Sequence, residues 1–502
     1  TKFAKNSHSA TTSLMLECYW KNGNWKQIRE LFGKFPSAEN QMMKMYNISV
    51  SIMEEKDKDA DYFQNSSQIA LQRWCALPSF LCSTHVTMLH NFQQLFELQE
   101  SHQLQSDIID TFGPNELKSF LSTWRDRLPN KWDDITMWSD ILTWRCHFLK
   151  YMSKKLENSN KTGEQKGEKN EQNRVLCLNE AIWTQNKLAK MCRKQDLIEP
   201  ALKLLGESQK LLGTLKIESN ESFVRIYEIL KCYMKDGRYN DALDLIDSDS
   251  SSKFKTHQKM DVLRLRGECL MKLGRKDESY QSFSQSISYF PHDPRFLSLP
   301  STTQSLGKVF FSWAKMLDEV FVQSLEAQSA GKPPVTLNNN LQGLDIAEQA
   351  LVSYMQALRY AGGATNHQQN QLVGWSCRQH ISRIIWLLSY DDDGRLSKVM
   401  KKSNVDIPAW LWIPYTHNLF SLLVRSESEA ETGKLILNSI IKKYPQAIYY
   451  NLRSVYFELR EIDKQAQDRA KQQQQQPNAA PSAPTAVPTL DPKIRKHHEE
   501  LM

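Results

Sequence analysis

Four residues between positions 75 and 90 have side chains that bind zinc in other proteins: Cys75, Cys82, His85 and His90. Thiolate sulfur and imidazole nitrogen are the usual ligands of a structural zinc ion. However, the gap between the two cysteines is longer than in common zinc sites, and Pro78 lies inside it. Cys82 and His85 are also one helical step apart in an apolar segment, which is typical of a packed helix. We therefore predict helix packing here, and no metal site.

A second group of residues is acidic. Asp391, Asp392, Asp393 and Gly394 resemble the beginning of a calcium-binding loop. Counted from Asp391, the twelfth position of such a loop is Lys402, where the site requires a glutamate that binds calcium through both oxygens. Because carboxylates stabilise the N-terminus of a helix, we predict that these residues begin a helix and are solvated.

A third group is basic, with lysines in the run 398–402 and at Lys442 and Lys443. Such a cluster can bind phosphate or a phosphoinositide headgroup. Lysine runs more commonly form the solvated face of a helix, and we predict that role here.

Motifs of known catalytic sites are absent from the sequence. It contains no G-x-G-x-x-G or Walker A phosphate loop, no D-F-G triplet, no G-x-S-x-G elbow and no H-E-x-x-H zinc motif. We therefore predict a protein that is not an enzyme and that has no cofactor.

Helices must position all of these groups, because apolar residues recur along most of the chain at the spacing i, i+3, i+4 and i+7. The clearest stretch runs from Phe223 to Pro291 and contains two helical pairs, with Gly237 and Gly274 at their turns. Gly23 has the same place in residues 11–35. The pattern is similar to that of tetratricopeptide (TPR) hairpins, in which a glycine ends the first helix in the left-handed conformation.

Small residues mark the close contacts of these hairpins. Gly267 is expected to let two helices approach, and Asp196 occupies the turn position of an earlier hairpin. Cys18, Cys232 and Cys269 each precede a turn glycine by five positions. Because free cysteine is commonly buried, we predict that all three are small apolar residues at tight helix crossings.

Large aromatic residues are concentrated in the segment that carries Trp132, Trp138 and Trp144. Their spacing predicts a single helix. Rings of this size usually pack between helices, and we expect the same here.

One hairpin cannot bury its apolar stripe alone, so neighbouring hairpins must cover it. The sequence therefore predicts an all-α fold, an α-solenoid of TPR-like or HEAT-like helical hairpins. Composition suggests five segments, which are an N-terminal helical-repeat part (1–153), a mobile polar loop (154–173), TPR-like hairpins (174–292), a C-terminal helical part (293–463) and a low-complexity, disordered tail (464–502).

Bulk composition excludes several classes of protein. The chain has 502 residues, of which 24 % are charged, and a formal net charge of +7. Positive and negative residues are interspersed, which argues against a nucleic-acid groove. The odd number of cysteines, without a C-x-x-C pair, suits a reducing compartment. No apolar run is long enough to cross a membrane. The chain begins at Thr1, and we expect it to be a piece of a larger protein.

The C-terminal part contains four stretches that resemble a known family. They are Trp386–Asp393, Ile407–Pro414, Gly433–Asn438 and Tyr444–Tyr449. Together they resemble the FAT region of the phosphatidylinositol-3-kinase-related kinases, and more closely that of the transformation/transcription domain-associated protein (TRRAP) family. Trp132 and the residues that follow it fit the same family.

This resemblance implies a non-enzymatic scaffold in the nucleus, because the kinase-like domain of the family is a pseudokinase. It implies that the chain supports the assembly of SAGA-type and MYST-type histone acetyltransferase complexes and the recruitment of transcription activators. The implied partners are subunits of those complexes, the activators and the pseudokinase part of the same full-length chain.

One aromatic segment is a candidate interface. Trp410, Trp412 and Tyr415 lie close together in the region of strongest resemblance. Our hypothesis is that they contact the neighbouring kinase-like domain, and packing within the chain is the alternative.

Two other functions are compatible with the sequence. The first is the FAT region of an active kinase of the same superfamily, which would support catalysis elsewhere. The second is a free-standing TPR adaptor that captures peptide tails in a groove lined by lysine, arginine and asparagine.

Overall fold

The computed structural model describes most of the chain. The described residues are 2–34, 41–54, 60–80, 82–108, 112–161, 167–213, 220–248, 254–289, 300–333, 335–337, 341–362, 380–391, 393–404, 407–423 and 425–475. The chain divides into two compact units, called here the first unit (Thr1–Arg238) and the second unit (Tyr239–Met502). The boundary falls inside the predicted hairpin segment 174–292, at a hairpin turn.

The first unit contains ten helices within the described residues. They are α1 (Lys2–Lys21), α2 (Trp25–Lys34), α3 (Gln41–Met53), α4 (Ala60–Cys75), α5 (Ser83–Asp107), α6 (Pro114–Asp126), α7 (Ile135–Lys161), α8 (Gly167–Lys194), α9 (Ile198–Leu212) and α10 (Asn220–Lys235).

The described part of the second unit is equally helical. Its helices are α11 (Tyr239–Ser248), α12 (Thr256–Lys272), α13 (Lys276–Ser288), α14 (Pro300–Ser329), α15 (Leu344–Gly362), α16 (380–388), α17 (Arg395–Ser403), a 3₁₀ helix (Ala409–Tyr415), α18 (Thr416–Leu422), α19 (Glu427–Lys443) and α20 (Pro445–Gln475). An isolated bridge between Leu337 and Leu341 is the only β pairing that the described residues show. The predicted all-α class is confirmed.

Within each unit, helices pack mainly on their neighbours in sequence. In the first unit α7 packs along α8, and α8 packs on α9. In the second unit the contacts run from α12 to α13 and α14, then to α15, α17, α19 and α20. Each apolar stripe is therefore covered by a nearby helix, as in an α-solenoid.

Four hairpin turns share one backbone geometry. Gly23, Gly237 and Gly274 have φ of 70°, 76° and 78°, and Asp196 has φ of 64°. At the third of these turns the amides of Gly274 and Arg275 donate to the carbonyls of Met271 and Leu270, both at 3.0 Å. This is the Schellman arrangement, which satisfies the last carbonyls of a helix. Asp196 adopts a conformation that is uncommon without glycine, and that aspartate tolerates better than most residues.

Gly267 makes room for an aromatic ring. A Cβ atom at this position would lie 2.7 Å from the ring of Phe283, a residue of α13 that is fully buried. The Ser279 hydroxyl also donates to the Gly267 carbonyl at 2.8 Å. The close approach that the sequence predicts between α12 and α13 therefore depends on the missing side chain of Gly267.

The three cysteines before the turns differ in burial. Cys232 and Cys269 are buried, and burial raises the pKa of their thiols to about 11 and about 12. Cys18 is exposed, so its predicted burial is wrong. The buried face of α1 is instead formed by Leu16 and Trp20, because that face lies against α3 and α7.

Trp132 does not belong to a helix, contrary to the prediction. Its side chain is 95 % exposed, and α7 begins three residues later. The Asp134 carboxylate accepts a hydrogen bond from the Thr136 amide at 2.8 Å, which is a helix cap that starts α7 at Ile135. Trp138 and Trp144 follow this cap and are buried, as expected.

The predicted polar loop at 154–173 is largely helical, so this prediction is wrong for its described residues. α7 continues to Lys161 and α8 begins at Gly167. Leu156 and Asn173 are fully buried, and the Asn173 amide donates to the Phe112 carbonyl at 3.1 Å. A few well-placed contacts thus hold a polar sequence in the helices. Residues 162–166 lie outside the described residues.

The predicted disordered tail also begins too early, because α20 extends through 464–475. Pro291, at which the hairpin stretch was predicted to end, and the low-complexity tail beyond Gln475 lie outside the described residues.

The fit between Gly267 and Phe283 gives a first prediction. Gly267→Ala should lower the free energy of unfolding of the second unit by about 1–3 kcal/mol, since the added methyl group overpacks the contact. At Gly206, inside α9, an added methyl group would approach no neighbouring atom within 4 Å, so Gly206→Ala should stabilise by about 0.5–1 kcal/mol. Thermal unfolding followed by circular dichroism measures both. Equal shifts in the same direction would contradict the role assigned to Gly267.

Candidate interaction surfaces

The structure brings only two of the four zinc-type residues together. The Cys82 sulfur lies 3.1 Å from His85 Nδ1. Burial raises the pKa of the Cys82 thiol, but hydrogen bonds with His85 and Thr84 outweigh it and the pKa lies below its ordinary value. His90 instead contacts Gln94 at 3.0 Å. The described residues contain no group of three or more histidines, cysteines or acids that could hold a metal ion.

Asp391 has a structural role at the start of α17. Its carboxylate accepts hydrogen bonds from the amides of Leu396 at 2.9 Å and Ser397 at 2.7 Å. The predicted helix start is therefore confirmed. However, Asp391 is buried and not solvated. Its carboxylate satisfies amides in the first turn of α17, which have no carbonyl partner within the helix.

The basic runs lie on exposed helix faces in the main. Lys398, Lys402, Lys442 and Lys443 are exposed, while Lys401 forms an ion pair with Glu431. The predicted solvated face is therefore confirmed for these lysines.

The aromatic candidate interface is divided by the fold. Trp412 is 1 % exposed and belongs to the core of the second unit, so it is not available to a partner in this structure. Trp410 and Tyr415 are partly buried against the same core. Because a 3₁₀ helix has three residues per turn, Trp410 lies on a different side of it from Trp412.

The last helix carries an aromatic surface that the sequence analysis missed. Tyr449, Tyr450 and Phe457 of α20 are 52 %, 77 % and 49 % exposed. The guanidinium of Arg453 lies between two of these rings, 5.9 Å from that of Tyr449 and 5.4 Å from that of Phe457. The opposite face of α20 is anchored by Ile448, which is buried. In the sequence, the signal for this surface was the placement of aromatic residues on two faces of one helix.

A buried ion pair fixes three helices of the first unit. Arg145 of α7 donates to the Glu97 carboxylate of α5 through Nε at 2.8 Å and Nη2 at 2.6 Å, and both side chains are at most 2 % exposed. It also donates to the carbonyls of Trp124 at 2.7 Å and Arg127 at 3.0 Å, at the end of α6. This network ties α5, α6 and α7 in one register.

A matching network lies in the second unit. Arg383 of α16 donates to the Asp318 carboxylate of α14 at 2.6 Å, and the Tyr354 hydroxyl of α15 donates to it at 3.2 Å. The guanidinium also lies 3.6 Å from the ring centre of Trp386. Both units therefore hold three successive helices by an arginine–carboxylate pair.

His147 joins the first hairpin to α7. Its Nε2 donates to the Lys21 carbonyl at 3.1 Å, and its ring lies beneath the turn at Gly23. Burial lowers the pKa of His147 to about 4, so the imidazole is neutral at pH 7.

None of the described helices is long and apolar enough to cross a bilayer.

The buried ion pair gives a second prediction. Glu97→Gln should lower the free energy of unfolding by about 3–5 kcal/mol, because it leaves the Arg145 charge buried without a partner. The Glu171–Arg174 pair is a matched control, since the Glu171 side chain is half exposed. Glu171→Gln should lower it by at most about 1 kcal/mol. Urea denaturation measures both, and similar losses would show that Glu97 and Arg145 contribute no more than a surface pair.

His147 gives a third prediction. Between pH 6.5 and about 4 the unfolded chain binds a proton at His147 that the folded chain does not bind. Unfolding therefore becomes easier as pH falls through this window, by roughly 3 kcal/mol in total, and is independent of His147 above it. His147→Gln should remove this part of the pH dependence in urea denaturation. An unchanged pH slope in the variant would refute the assignment.

Comparison with known proteins identifies the family. Residues 12–371 match the FAT domain family. The chain is 27 % identical over 479 residues to the SAGA complex/NuA4 acetyltransferase complex subunit TRA1 of Saccharomyces cerevisiae, covering 90 % of this chain and 11 % of that protein. It is 24 % identical over 485 residues to the human transformation/transcription domain-associated protein, covering 91 % of this chain and 11 % of that protein.

A solved structure has the same fold. The complete CtTel1 dimer with C2 symmetry matches 87 % of this chain and 17 % of the matched chain, with a TM-score of 0.58 and 15 % identity. The chain thus spans about a tenth of the length of its curated relatives. The family match and the two alignments, each of which covers about nine tenths of this chain, show that it belongs to the FAT domain family, as a FAT region of the TRRAP family.

Proposed function

We propose that this chain is a non-catalytic scaffold segment of a large transcription co-activator subunit in a histone acetyltransferase complex. The observation that carries the proposal is the alignment of about nine tenths of the chain with relatives named as SAGA and NuA4 acetyltransferase complex subunits. In this role the chain supports assembly of the complex and recruitment of activators, and it works in the nucleus.

The packing of the chain supports a scaffold role. The Arg145–Glu97 and Arg383–Asp318 pairs each join three successive helices through hydrogen bonds of specific geometry. Such pairs restrict the ways in which apolar helices can slide on one another. A segment held in this manner presents its surface residues at constant positions, as protein contacts require.

Partner contacts are proposed at the exposed aromatic residues of the second unit. Tyr449, Tyr450 and Phe457 of α20 belong to the residue type that is enriched at the centres of protein interfaces. Trp410 and Tyr415 remain part of the proposed contact with the kinase-like part of the full-length protein, whereas Trp412 is not, because it is buried.

An active kinase is the less favoured parent protein. The DNA-dependent protein kinase catalytic subunit of Canis lupus familiaris is 26 % identical, but the alignment covers only 32 % of this chain. The relatives named as transcription-associated proteins cover about 90 %. This difference in coverage favours the co-activator.

Purification of the full-length tagged protein tests the proposal and gives a fourth prediction. When the unaltered protein is purified from nuclear extract, acetyltransferase activity should co-purify with it. This activity is assayed on histone peptides. The triple variant with Tyr449→Ser, Tyr450→Ser and Phe457→Ser should recover roughly tenfold less activity. Aromatic residues that become buried in an interface contribute much of its binding energy.

The control removes exposed rings elsewhere. Phe80 and Trp132 are 69 % and 95 % exposed in the first unit, so Phe80→Ser with Trp132→Ser should leave the recovered activity unchanged. If the unaltered protein recovers no acetyltransferase, the proposed function is wrong. If it does and all variants recover the same amount, the contact role of α20 is wrong.

A further inference from the structure

The first unit contains a groove of about 430 Å³ between α7, α8 and α9. This volume is in the range of sites that bind small ligands or short peptide segments. Its lining is partly apolar, with Leu142, Leu188, Leu197 and Leu204. Leu197 is 38 % exposed at the turn between α8 and α9, so apolar surface is accessible there.

One buried side chain in the wall of the groove has a hydrogen-bond acceptor that receives no hydrogen bond from the described residues. Gln185 is 4 % exposed, and its Nε2 donates to the Glu207 carboxylate at 3.4 Å. Its Oε1 is buried and receives no hydrogen bond from the residues that the structure describes. A buried acceptor without a donor costs about 1–3 kcal/mol. The backbone amides of a peptide are donors of the required kind.

The charged groups of the groove favour an acidic ligand. Lys150 and Lys203 line it together with a single acid, Glu207. Lys21 also lines it but is paired with Glu17 and Asp140. His147 is neutral at pH 7, so it adds no charge.

Positive charge continues on another face of α8. Burial, followed by repulsion from Lys190 and Lys194, lowers the pKa of Lys187. This repulsion places further positive charge near Lys187, beside the groove.

We propose that this groove binds a short peptide segment of a partner protein, with an aliphatic side chain among the leucines and adjacent carboxylates at Lys150 and Lys203. On binding, the Gln185 side chain rotates so that its Oε1, which is buried in the free chain, accepts a hydrogen bond from a backbone amide of the peptide. This site does not depend on the proposed function, because it lies in the first unit and uses none of the aromatic residues of α20.

Selection from a random dodecapeptide library displayed on phage tests the site and gives a fifth prediction. The purified full chain is the target, and the variant Lys150→Glu with Lys203→Glu is used for counter-selection. Enriched sequences should combine leucine, isoleucine or valine with aspartate or glutamate. An enriched peptide, labelled with fluorescein, should bind the charge-reversed variant at least tenfold more weakly in fluorescence anisotropy.

Two further variants complete the test. Lys210→Glu changes an exposed lysine of α9 outside the groove and should alter affinity less than twofold. Gln185→Leu should weaken binding severalfold while circular dichroism shows an unchanged fold. The proposal is wrong if no sequence is enriched or if enriched peptides bind all variants equally. It is also wrong if the full chain forms a dimer that only the charge-reversed variant loses, which would make the occupant a second copy.

Discussion

The apolar face of a helical hairpin is stable only when another helix covers it, and this constraint governs the architecture of the chain. Each hairpin leaves an apolar stripe, and the helix that follows in sequence buries it. The turns make this possible, because Gly23, Gly237, Gly274 and Asp196 all reverse the chain in the left-handed conformation. Packing of each helix on its sequence neighbours is the direct result.

Apolar contact alone would leave the helices free to slide, and polar networks remove that freedom. Arg145 binds Glu97 and two carbonyls at the end of α6, and Arg383 binds Asp318 beside Tyr354. The Arg145 guanidinium is buried, and Arg383 pairs with a carboxylate that is only 9 % exposed, so the partners of each pair must remain in place. This gives both units a specific register, which suits a protein that positions partners.

The surfaces left after this packing define where partners can bind. On α20, no helix among the described residues covers the exposed rings. In the first unit, the groove contains an acceptor, Gln185 Oε1, that receives no hydrogen bond from the described residues. The two surfaces differ in chemistry, one aromatic and one apolar with lysines at its edge. They belong to separate units, and their different chemistry suits different ligands.

The sequence by itself determined most of the helices, their turns and the family, because these depend on local spacing and on short motifs. Apolar periodicity predicted most helices, and the turn positions were visible as glycine or aspartate. Only the tertiary structure decided which side chains are buried. Cys18 is exposed while Cys232 is buried, and Trp412 is buried while Trp410 is only partly so. The polar stretch at 154–173 is mostly helical because Leu156 and Asn173 find partners in distant segments. Burial depends on which helix lies opposite, and no local pattern contains that information.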